Sequence, residues 1–178
     1  MEWLLFTYWL PAEPSRKRVS VWRQLKKIGA LSTEGTGWLL PKTELLLGMM
    51  TDITRNVEEM GGTANLYTVA HFSEAQEQRA IASFQQERER EYSEIIKECR
   101  KTLHHIERES HERQFNFEEV EELEGDLEKI KRWFADVKKR DFWDVALRKG
   151  VESSISEVET NLASFTQKTY EEQSSRGN

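Results

Sequence analysis

Cysteine is nearly absent. Cys99 is the one thiol among 178 residues, so no internal disulfide staples the chain, and a reducing compartment suits that usage. Proline and glycine are scarce, 3 and 9, which argues against a many-stranded sandwich or barrel built on tight turns. No apolar run approaches the ~18 residues of a membrane-spanning helix. The run Trp3–Leu10 has Glu2 before it and the basic cluster after it, the wrong charge order for a secretory leader. The expectation is a cytoplasmic protein with no membrane partner. Missing too are G-x-S-x-G, H-E-x-x-H, a Walker loop and G-x-G-x-x-G. Gly35-Thr36-Gly37 is too short to cradle a phosphate. No catalytic residue and no cofactor are expected.

What is present is charge and aromatic mass. Charged residues make up 33% of the chain, and 8 Phe, 6 Trp and 4 Tyr are too many for a disordered polar chain. The formal charge of −6 is unevenly spread. Residues 1–70 hold 8 basic and 7 acidic residues, whereas 71–178 hold 18 and 25. Between 11 and 30, Arg16, Lys17, Arg18, Arg23, Lys26 and Lys27 face Glu13 alone. A +5 island therefore lies in an acidic protein.

Patterning gives the elements. Trp3–Leu10, stopped by Pro11, reads as a strand buried on both faces. Ser15 is placed to cap a helix over 16–28, with Val19, Trp22, Leu25 and Ile28 as its apolar stripe and Gly29 as its stop. Ala30–Thr33 and Trp38–Leu40 flank Glu34–Gly37 as a hairpin. Residues 42–60 read as a helix with Leu45, Leu46, Met49, Ile53, Val57 and Met60 apolar, ended by Gly61-Gly62, and Thr63–Ala70 as the fourth strand. This βαββαβ order predicts a ferredoxin-like unit over 1–72. From the capping-box signature Ser73-Glu74-Ala75-Gln76 onward there is no Pro or Gly until Gly125. A helix over 73–112 would be about 60 Å long. Two further stripes begin at Phe117 and Val151. Residues 73–170 thus predict a long antiparallel helical hairpin or three-helix bundle, and 171–178 a frayed tail. The fold class is α+β.

Two constellations invite chemistry. On a helix, Arg16, Arg23, Lys26 and Lys27 project largely opposite Val19 and Trp22, which suits a polyanion because each neutralised phosphate releases counterions. The plainer reading is a solvated face whose cations pair with the acidic helices. His104, His105, His111 and Cys99 suggest a metal, but His104 and His111 lie about 10.5 Å apart along a helix, too far for one ion. No metal is expected unless another segment supplies ligands. Glu118, Glu119, Glu121, Glu122 and Glu124 suit a helix start. Trp3, Trp9 and Trp38 are read as core.

The segment Tyr8-Trp9-Leu10-Pro11-Ala12-Glu13-Pro14-Ser15-Arg16-Lys17-Arg18-Val19, continuing Val21-Trp22-Arg23-Gln24-Leu25-Lys26-Lys27-Ile28-Gly29-Ala30-Leu31, resembles the N-terminal domain of chromate-resistance regulators of the ChrB type. Leu40-Pro41, Gly61-Gly62, Phe115–Leu123 and Arg140-Asp141-Phe142-Trp143 extend the likeness over most of the chain. The resemblance implies a non-catalytic transcriptional regulator that binds promoter double-stranded DNA as a homodimer. Its candidate contacts here are Arg16, Lys17, Arg18, Arg23, Lys26 and Lys27. Longer members carry a C-terminal chromate-resistance domain, for which 178 residues leave no room. Chromate sensing is therefore not expected of this chain, and a separate protein would supply that domain. The βαββαβ unit is also similar to a small CRISPR-associated endoribonuclease fold. Its nuclease members carry an Asp at the end of the first strand, where this chain has Trp9-Leu10-Pro11. A protein-interaction scaffold using the acidic helices remains the alternative from another class.

Overall fold

The computed structural model describes residues 1–33, 35 and 37–176. The chain is α+β and mostly helical. Its elements are β1 (Trp3–Trp9), α1 (Ser15–Lys27), β2 (Leu31–Ser32), β3 (Gly37–Pro41), α2 (Glu44–Glu59), β4 (Thr63–Val69), α3 (Glu74–His111), α4 (Phe117–Lys138) and α5 (Leu147–Arg176). They fall into two compact units, Met1–Phe84 and Gln85–Asn178, and α3 runs from the first into the second.

In the first unit four strands form one sheet in the order β2-β3-β1-β4, antiparallel at every pairing. Phe6 opposes Trp38 on one side and Leu66 on the other. Leu31 pairs with Leu39 and Ser32 with Trp38, so the expected hairpin forms, while Glu34 and Thr36 at its tip lie outside the described residues. β1 is buried on both faces only where it starts, at Trp3 and Leu4; Trp9 at its end is 61% exposed. The reading of Trp9 as core is thus corrected. The physical reason is position: at the last pair of the ladder, opposite Thr63, no layer covers it. Trp3, by contrast, stacks on Phe72 and Phe84 at 5.7 and 6.0 Å between ring centres.

Both helices of this unit close in the same way. Gly29 and Gly61 adopt φ of +81°, which glycine reaches without a Cβ penalty. Ala30 N–H then reaches the Leu25 carbonyl and Gly62 N–H the Val57 carbonyl, each at about 3 Å, the 6→1 bond of a Schellman turn. Other details depart from expectation. Pro14, not Ser15, occupies the N-cap of α1, and no side chain caps that end. Val21 and Leu25 are buried in α1, while Val19 and Trp22 are exposed. In α2 the buried set is Leu46, Met50, Ile53 and Val57, with Leu45 and Met49 exposed. Leu25 in α1 and Leu46, Ile53 and Val57 in α2 are buried as expected, while Val21 and Met50 are buried where Val19 and Met49 were expected. Two sets of apolar residues satisfy three- and four-residue spacing, and only packing chooses between them.

Still within the first unit, the Ser73 capping box opens α3: Ser73 N–H donates to Gln76 Oε1 at 3.0 Å and Gln76 N–H returns to Ser73 Oγ at 3.4 Å. The second unit is helical. The unit's core joins Tyr92, Ile95, Cys99 and Ile106 of α3, Val120, Leu123, Leu127 and Ile130 of α4, and Val151, Ile155, Val158, Leu162 and Phe165 of α5. Each such side chain contributes about 1.5–3 kcal/mol by leaving water. Asn116 caps α4 by accepting from Glu119 N–H at 2.9 Å. Phe117, read as part of the α4 stripe, is exposed and instead meets Tyr170 edge-on at 5.0 Å. α5 continues to Arg176, through most of the segment expected to fray. Gln173 there donates to the Phe115 carbonyl at 2.8 Å. Arg113 ends α3 with φ +54°, a left-handed position held by a non-glycine residue.

Candidate nucleic-acid interface

Helix α1 carries six cations and no acid, SRKRVSVWRQLKK. Val21 and Leu25, four apart, fix its inner line. Arg16, Arg23 and Lys27 then stand at spacings of seven and four, on one outer line about 16 Å long. All three are exposed. Together with Ser15, Val19, Ser20 and Gln24 they line a shallow groove of about 460 Å³. Among the described residues, no hydrogen bond or ion pair engages Arg16, Arg23 or Lys27. Exposed Val19 lies among these cations, not opposite them as the spacing predicts, and Trp22 is exposed on the same helix.

The other three expected contacts are differently placed. Lys17 is half-buried and its Nζ donates to the Met60 carbonyl at 2.8 Å, an end group of α2. A cation at a helix C-terminus is favoured by the dipole there. Arg18 donates through a guanidinium N–H to the Ala12 carbonyl at 3.0 Å, bracing the loop that feeds α1. Burial pushes the Tyr8 hydroxyl pKa up, and the nearby Arg18 cation partly opposes that shift. Lys26 holds its ammonium 5.9 Å from the centre of the Trp38 ring, a cation–π contact. Trp38 itself is buried, 7% exposed. Tyr8, Trp9, Ala12, Arg18, Ser32 and Trp38 border a second depression of about 550 Å³.

Sequence reasoning found the cations but missed the exposed aromatics. Spacing reads Trp22 into the apolar stripe of α1 and Trp9 into the core, whereas Trp22 is 49% and Trp9 61% exposed. A line of apolar residues that alternates with cations at three- and four-residue spacing was the available signal for Val19 and Trp22.

A family model described as "Protein ChrB, N-terminal" matches residues 18–176, nearly the whole chain. The chain belongs to that family. It is a protein of the chromate-resistance regulator type. Arg18, Arg23, Lys26 and Lys27 fall inside the ChrB-type match, and Arg16 and Lys17 just before it. No curated protein and no solved structure matches the chain. No helix among the described residues is long and apolar enough to cross a membrane.

Proposed function

We propose that this ChrB-type chain is a non-catalytic, cytoplasmic transcriptional regulator that binds promoter double-stranded DNA through the outer face of α1. The observation that carries the reading is the row Arg16, Arg23 and Lys27, exposed and without partners among the described residues. Lysine and arginine so arranged neutralise backbone phosphates, and the released counterions supply most of the affinity. Val19 among them adds an apolar contact. Lys17 and Arg18 act chiefly as braces, and Lys26 is held over Trp38.

The strand order β2-β3-β1-β4 with one helix after β1 and one after β3 supports a ferredoxin-like unit, with 1–72 as the binding domain. The shared core of α3, α4 and α5 supports a three-helix bundle over 73–170. β4 is an edge strand of seven residues without a charge, and Trp9 and Tyr67 are exposed beside that edge. An open uncharged edge favours pairing, which supports a homodimer matched to two-fold DNA. A separate protein carrying the chromate-resistance domain would complete the regulator. β1 ends on Trp9 without an acidic residue, which weighs against a metal-dependent nuclease.

The test is a salt titration of binding to the DNA upstream of the protein's own gene. Three phosphate contacts per protomer, six per dimer, give a log–log slope of roughly −5. The triple variant Arg16→Glu, Arg23→Glu, Lys27→Glu is expected to abolish binding with an unchanged circular dichroism spectrum. Binding that survives it would remove α1 as the interface.

A further inference from the structure

His105 and Glu109 sit four residues apart on α3, so they share one face of its last turns. The turn at Arg113 brings the start of α4 back beside that face, and Glu119 joins them. His105 Nε2 lies 3.6 Å from Glu109 Oε1 and 3.3 Å from Glu119 Oε2. One donor atom from each of the three residues falls within 4.8 Å of the others. We propose that His105, Glu109 and Glu119 bind one divalent transition-metal ion, which clamps the end of α3 to the start of α4.

Four observations carry this. First, tetrahedral bonds of 2.0–2.1 Å place neighbouring donor atoms about 3.4 Å apart, and the two distances at His105 match that spacing. Second, Glu119 occupies the third position of α4, where a capping-box glutamate would turn back to the Asn116 N–H. Its Oε2 is instead fully buried beside His105 with no hydrogen-bond partner. A buried carboxylate oxygen left unmatched is costly, and a cation would satisfy it. Third, the Glu109 side chain is only 7% exposed, and Arg108 donates to its Oε1 at 2.7 and 2.9 Å. Arg108 thus fixes the orientation of this carboxylate, sharing the oxygen that faces His105. Fourth, one imidazole and two carboxylates carry −2, which Arg108 on Glu109 reduces to −1, still a net negative site for a cation, and the N/O donor set suits zinc and its first-row neighbours. Water would complete the coordination. His104, one residue before His105, is exposed and faces Glu107 at 3.4 Å, outside the cluster.

The experiment is equilibrium dialysis of the chelator-stripped, full-length chain against Zn²⁺, with bound zinc measured by elemental analysis and thermal melting followed in parallel. The wild type is expected to retain one equivalent and to melt higher with zinc. His105→Asn and Glu119→Gln should each bind at least tenfold more weakly, while His104→Asn binds as the wild type does. If His105→Asn fails to fold, Glu119→Gln decides alone. No retained zinc in the wild type, or equal losses in the His104 and His105 variants, would overturn the site.

Discussion

Helices α1 and α4 are both dense in charge, yet they use it in opposite ways. In α4 Lys129 meets Asp126 at 2.8 Å and Lys139 just beyond its end meets Asp136 at 2.9 Å, each three residues back. Lys131 reaches Glu159 of α5 at 2.6 Å. α3 repeats the device in Lys97–Glu94 and Lys101–Glu98. α1 has no acid at any helical spacing from Arg16, Arg23 or Lys27. Net charge thus says little about what a helix offers to a partner. What counts is whether each cation has a carboxylate three or four residues away, because that pairing is local and forms before any ligand arrives.

The contrast can be broken from the acidic side first. Asp141 accepts the Tyr92 hydroxyl at 2.9 Å and the Val145 N–H at 3.1 Å, within the second unit. Asp141→Ala should cost about 2–3 kcal/mol in urea unfolding, since a buried hydroxyl loses a charged acceptor. The same contact, after burial, raises the Tyr92 pKa. An unfolded tyrosine ionises near pH 10 while the folded one keeps its proton. The associated stability is full below that pH and is lost as pH rises beyond it. Tyr92→Phe should therefore flatten the alkaline fall in melting temperature.

The basic side is tested by giving α1 what α4 has. Val19→Glu sets a carboxylate three residues from Arg16 and four from Arg23, and Val19 is exposed. DNA affinity should drop at least tenfold, about 1.4 kcal/mol, with a shallower salt slope and an unchanged melting temperature. A smaller effect is expected at the α3–α4 turn. Arg113→Gly relieves a left-handed non-glycine position and should stabilise by roughly 0.5–1 kcal/mol. Smallest of all, Glu98→Gln removes an exposed pair and should leave the melting temperature almost unchanged, with any shift vanishing in high salt.

Much of this was legible in the residues. The Ser73–Gln76 box, the Asn116 cap and the glycines at 29 and 61 mark helix ends through local chemistry, and long stripes such as Val151 to Phe165 survive small errors of phase. The inner face of α1 was legible only in part: Leu25 belongs to the expected stripe, but Val19 and Trp22 fit the same period and are exposed, while Val21 takes the inner position. At the candidate interface the six cations were plain, but their division was not. Lys17 is engaged by a carbonyl 43 residues away, a contact that exists only once α1 and α2 are packed. Nor could spacing pair His105 with Glu119, which meet across a turn.

Cys99, the chain's sole thiol, sits in the core of the second unit, and burial raises its pKa. A thiol that is both covered and protonated reacts only when the surrounding helices open. Its labelling rate is therefore a built-in clock for that opening, readable by mass spectrometry without adding a probe. DNA bound at α1 and zinc bound at His105 should slow it to different degrees, which would separate the two events within one molecule.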